Sequence, residues 1–137
     1  MIPQAINRYK TVQVTTSSPG DLLVLMFDAL FRFLGEAKEA CGKDRARFGE
    51  RVTRCHAILG ELASGLNPEV APELCNNLEG IYLFCMGHLV EANLHQDASR
   101  LDAVIRILEP VRDAFKQAVA QEKKQPAAKP TARAVAP

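Results

Sequence analysis

The side chains best suited to metal binding or nucleophilic chemistry in this 137-residue chain are Cys41, Cys55, Cys75, Cys85, His56, His88 and His95. Zinc sites draw on such residues in close pairs, as in Cys-x-x-Cys or a pair of neighbouring histidines. The cysteines here are separated by 14, 20 and 10 residues, and no histidine pair has ligand spacing. Cys85 and His88 share a helix face at i, i+3, but two ligands fall short of a site. No Ser or Cys nucleophile motif accompanies a histidine, and no Glu-x-x-His occurs from which a bundle could build a di-iron centre. Gly20, Gly35 and Gly42 are isolated, so there is no phosphate-cradling loop. The expectation is a protein without catalytic residues, metal or cofactor, its cysteines reduced and mostly buried.

Composition points the same way. The chain is 47% hydrophobic and 24% charged, with 17 basic and 16 acidic residues. It suits one domain able to bury roughly two thirds of its unfolded surface. A net charge of +1 supplies no field for nucleic acid or anionic lipid. The start, MIPQAINRYK, lacks the layout of a secretory signal, and no apolar run reaches the roughly 20 residues a membrane helix needs. A cytoplasmic protein with no nucleic-acid partner and no stable membrane insertion is expected.

The elements that must position any site read as helices. Ser18, Pro19 and Asp21 form a capping box with proline at the first helical position, opening a helix that runs to about Cys41-Gly42. Its polar residues Asp28, Arg32, Gly35, Glu36 and Glu39 fall in one narrow strip. A second helix spans about Asp44 to Ser64, with Phe48, Val52, Cys55, Leu59 and Leu62 at three- and four-residue steps, and Gly65 and Asn67-Pro68 stop it. A third, from about Pro72 to Leu94, carries Leu74, Leu78, Ile81, Cys85, Leu89 and Ala92. A second stripe of Cys75, Tyr82, Met86 and Asn93 lies beside it, with Leu83 and Phe84 widening the apolar surface. Asp97 caps a fourth helix to about Val119, where Pro110 predicts a kink near Arg106. Residues 121–137, rich in Ala, Pro and Lys, have almost nothing to bury and are expected to be disordered.

Four helices, short loops and no alternating strand pattern predict an all-α, antiparallel up-down-up-down four-helix bundle over residues 18–120. A short N-terminal arm, residues 1–17, precedes it. The first and third helices carry more apolar surface than one core stripe requires. Either they sit diagonally or lie under the N-terminal arm, or their extra stripes form a groove for an amphipathic partner helix.

Specific residues then bring a family into view. Val14-Thr15-Thr16-Ser17-Ser18-Pro19, Leu22 and Phe27-Asp28 resemble the start of the first helix of the flagellin-specific secretion chaperone family FliS. Ile81-Tyr82, Leu89, Ala92-Asn93-Leu94, Asp97, Val104, Leu108 and Asp113-Ala114-Phe115 resemble its third and fourth helices in order and spacing. The likeness spans residues 5 to about 118. It departs at Leu25-Met26, at Ala29, at Leu83 in place of an acidic residue and at Phe115 in place of a frequent Trp. The resemblance implies a cytoplasmic helical-bundle chaperone. Such a protein would hold the C-terminal segment of flagellin unpolymerised and deliver it to the cytoplasmic domain of the flagellar export gate. The surplus apolar surface of the third helix sets the expected flagellin groove at Leu78, Tyr82, Leu83, Met86, Leu89 and Asn93. Ile6 and Tyr9 match an Ile-x-x-Tyr pair implicated in gate docking, or else fold back as a lid over the groove. A regulatory protein at the same groove, or homodimerisation through it, remains the alternative use of the patch.

Overall fold

The computed structural model describes residues 18–124, which form four α-helices and, among those residues, no strand. Helix α1, Pro19–Ala40, opens on the expected capping box. The Ser18 hydroxyl accepts the Asp21 N–H at 3.2 Å, and the Asp21 carboxylate accepts the Ser18 N–H at 3.4 Å. These bonds satisfy amides that the first turn of a helix otherwise leaves without partners. Gly42 turns the chain at φ 77°, where a side chain would be strained. Asp44 caps α2, Arg45–Ser64, by accepting the Arg47 N–H at 3.0 Å.

Helix α3, Pro72–His95, starts with proline in place of a side-chain cap. It ends at Gln96 in the left-handed conformation, where the Cys41 thiol donates to the Gln96 carbonyl at 3.4 Å and ties together the two turns at that end. Asp97 accepts the Ser99 N–H at 2.9 Å at the start of α4, Ala98–Lys124. This helix continues through Pro110 without a break. The missing N–H deprives the Arg106 carbonyl of its helical donor, and Arg106 lies on the exposed side, where water can serve. Helix α4 also runs four residues into the segment expected as tail, with Lys123 held by Asp21 of α1 at 3.0 Å. The arm (1–17) and the remainder of the tail lie outside the described residues.

Each helix packs along its two sequence or ring neighbours, α1 on α2 and α4, α3 on α2 and α4, while the diagonal pairs barely touch. The result is an up-down-up-down bundle in which α1 and α3 occupy opposite corners. Phe27 stands at the centre of the core with the Phe115 ring 5.6 Å and the Tyr82 ring 6.5 Å away. Leu30, Leu34, Phe48, Leu59, Leu89, Leu101 and Leu108 are fully buried around them. Such a core resists change in side-chain volume and fixes where each helix points its outer face.

Candidate functional site

The two apolar-rich helices meet different fates. On α1 the surplus is covered. Leu22, Val24 and Phe31 are half-buried against the core, and Met26 is buried. The Arg112 guanidinium lies 4.2 Å from the Phe31 ring centre, and Arg32, Arg51 and Arg54 converge on Phe33 at 4.9–5.8 Å. Ion pairs seal both seams of α1. Lys38–Asp102, Lys116–Asp28 and Lys123–Asp21 join it to α4, and Arg47–Glu36 and Arg51–Glu36 join it to α2. An apolar groove on α1, open to a partner, is therefore not what these residues build.

Helix α3 is the reverse. Among the described residues no ion pair crosses from α3 to α2 or α4; its contacts with both are apolar or neutral. Its inner face is the seam Cys75, Leu78, Tyr82, Cys85, Leu89 and Ala92, all buried. Its outer face leaves Leu83 56%, Phe84 57%, Val90 48% and Leu94 66% exposed; the other large apolar side chain open to solvent among the described residues is Val70, in the turn before α3. Covering the exposed part of each would contribute on the order of 1 kcal/mol. Between α3 and α4 lies an apolar cleft of about 280 Å³, lined by Leu74, Leu78, Pro110, Val111, Ala114 and Phe115. On the α2 side a smaller cleft of about 170 Å³ is lined by Val52, Thr53, His56, Leu89, Val90 and Asn93. Together α3 and its seams gather four of the five exposed large apolar side chains of the described bundle on one side.

The residues expected in a groove divide accordingly. Leu83 is exposed on the outer face. Met86 and Asn93 are half-buried along the α2 seam, with Met86 Cε 3.7 Å and Asn93 Oδ1 3.3 Å from where a Cβ on Gly60 and Gly49 would stand. Leu78, Tyr82 and Leu89 belong to the core, although Leu78 and Leu89 also form the floors of the two clefts. Burial pushes the Tyr82 phenol well above its usual pKa, which suits a packing role. Ile6 and Tyr9 lie outside the described residues. Phe84 is marked by the sequence as widening the apolar surface, whereas Val90 and Leu94 fall on neither of the two stripes read there. The signal was present: Gly80, Leu83, Gly87, Val90 and Leu94 repeat at steps of three and four.

The residues with chemical potential are dispersed. Burial pushes the Cys85 thiol up to about 11 and the Cys55 thiol higher still, with Cys55 donating to the Leu30 carbonyl at 3.8 Å. His88 packs edge-on against the Phe84 ring at 4.6 Å, on the outer side of α3. Among the described residues no three His, Cys, Asp or Glu side chains converge as metal ligands, and no helix is long and apolar enough to cross a membrane. The exposed apolar face of α3, rather than any cluster of reactive side chains, is the distinctive surface feature of the described residues.

Comparison with known proteins agrees with that geometry. A family described as flagellar protein FliS matches residues 2–122. The flagellar secretion chaperone FliS of Bacillus subtilis is 30% identical over 117 residues, covering 85% of this chain and 86% of that one. FliSB of Pseudomonas aeruginosa is 29% identical over 117 residues, covering 82% and 93%. FliS of Salmonella typhimurium is 29% identical over 106 residues, covering 76% and 78%.

Proposed function

The chain belongs to the FliS family of flagellar proteins, and from that premise we propose that it is a cytoplasmic, non-enzymatic chaperone for flagellin. It binds the C-terminal segment of newly made flagellin, prevents premature polymerisation and delivers the subunit to the cytoplasmic domain of the export gate. The observation that carries this reading is the asymmetry of the bundle. One corner helix is closed by arginines and ion pairs, while the other presents Leu83, Phe84, Val90 and Leu94 between an apolar cleft and a smaller one of mixed lining. A segment that becomes helical on binding would lay its apolar face there, with Leu83, Met86 and Asn93 in direct contact and Leu78, Tyr82 and Leu89 supporting them from below. Ile6 and Tyr9 serve gate docking, and replacing both by Ala is expected to weaken binding of the loaded chaperone to the gate domain at least tenfold while sparing flagellin affinity.

The decisive experiment is co-purification of the full chain with flagellin from the same organism, intact and lacking its C-terminal segment. Capture of the intact protein alone supports the reading. Equal capture of both would overturn it, and would favour another partner, such as a regulatory protein, at this surface.

A further inference from the structure

Helix α3 carries two heptad seams on opposite sides. The inner one, Cys75, Leu78, Tyr82, Cys85, Leu89 and Ala92, is the core. The outer one, Gly80, Leu83, Gly87, Val90 and Leu94, advances by 3, 4, 3 and 4 residues, and every member is exposed. This is the spacing by which one helix receives another along its length. Glycine is a poor choice for the middle of an exposed helix, costing about 1 kcal/mol against Ala. A Cβ at Gly80 or Gly87 would meet nothing within 4 Å, so packing among the described residues does not account for either glycine. Both lie on the outer seam, alternating with Leu83 and Val90, and so make two notches where a second backbone can come close.

Charge narrows the occupant. Helix α3 contains Glu73, Glu79 and Glu91 and no Lys or Arg. Glu79 and Glu91 flank the seam on opposite sides, at the positions that in paired helices face the partner's charges. The ionic partner of Glu91 is His95 on its own helix, at 3.1 Å. The neighbouring edges of α2 and α4 add Gly49, Thr53, His56 and Gly60 on one side and Pro110, Ala114 and Ala118 on the other, none of them Lys or Arg. A second copy of the chain docked through the same seam would set carboxylates against carboxylates with no cation from either α3.

We propose that the outer seam of α3 takes one amphipathic helix at close range, its large apolar residues seated over Gly80 and Gly87 and its flanks carrying Lys or Arg toward Glu79 and Glu91. This deepens the flagellin reading and rests on it: the occupant is the helical part of the flagellin C-terminal segment.

The test is calorimetric titration of that segment into the full chain at low and high salt. Gly80→Leu and Gly87→Leu each fill a notch while improving helix propensity. They are expected to raise the melting temperature yet weaken binding at least tenfold, a combination that a purely structural role for the glycines does not produce. Glu79→Lys combined with Glu91→Lys is expected to weaken binding at least tenfold at low salt, with the gap closing at high salt. Glu39→Lys on the exposed side of α1 should leave affinity unchanged. Wild-type affinity in both glycine variants, or equal affinity of the double lysine variant at low salt, overturns the close-approach model while leaving the flagellin reading intact. Absence of binding to the unaltered chain removes both.

Discussion

Single residues that begin helices were the most legible feature of this chain, because their partners lie three positions away. Asp21 illustrates the physics. Partial burial pushes its carboxyl upward, but the Lys123 ammonium at 3.0 Å and the Ser18 hydrogen bonds outweigh it and hold the group below its usual value. A depressed carboxylate contributes stability at neutral pH, and that contribution is lost as pH falls past the ordinary aspartate range and through the depressed folded-state pKa. Asp21→Ala should therefore lower stability by about 1 kcal/mol at pH 7. In urea unfolding from pH 7 downward, the gap between variant and parent should persist to about pH 4 and close below it. A gap independent of pH would assign the loss to something other than the charged cap. The thiols give a second residue-scale outcome. Cys41 is half-buried, whereas Cys55, Cys75 and Cys85 are buried, and burial raises the Cys55 and Cys85 pKa values. Native protein at mildly alkaline pH should release one rapid equivalent with a thiol reagent, from Cys41, and the others only on unfolding. Gly80 and Gly87 were not legible as a site in this way, since a glycine in a helical pattern reads as a propensity cost until its surroundings are known.

At the scale of elements, four helices and their order followed from periodicity and turn residues, but the fate of their surplus apolar faces did not. Phe31 and Phe33 look as available in the sequence as Leu83 and Phe84. The difference comes from arginines far away in the chain: Arg112 lies across Phe31, and Arg51 and Arg54 reach Phe33 from α2. No local pattern predicts which long side chain will lie along which ring. The end of α4 was underestimated for the same reason, because the hold of Lys123 on Asp21 is a contact between distant residues. If Arg112 seals α1, Arg112→Ala should destabilise the bundle by about 0.5–2 kcal/mol through lost stem packing and cation–π attraction, without weakening flagellin binding. A variant that loses flagellin affinity in proportion would place the partner over α1 and contradict the assignment to α3.

For the whole molecule, the family and fold were readable, while which of the expected groove residues reach the surface was not. Leu83, Met86 and Asn93 lie where a partner can reach them, and Leu78, Tyr82 and Leu89 are buried because the same helix must also build the core. Helix α3 serves both purposes, and its sequence superimposes the two patterns. The uncovered apolar surface also bears on assembly. With carboxylates as the only full charges on α3, the free chain should remain monomeric in light scattering, near 15.0 kDa, at low ionic strength. A stable dimer there would revive homodimerisation as the use of this face.

The most direct measurement is the affinity of the flagellin C-terminal segment for the full chain carrying Leu83→Glu and Leu94→Glu, read by calorimetry beside thermal unfolding. Both side chains are more than half exposed, so the fold should tolerate the change, and an unpaired charge at each would meet the apolar side of the ligand. The account predicts an unaltered melting temperature and a loss of affinity of about 100-fold or more. Undiminished affinity in the folded variant would contradict it and move the binding surface away from α3.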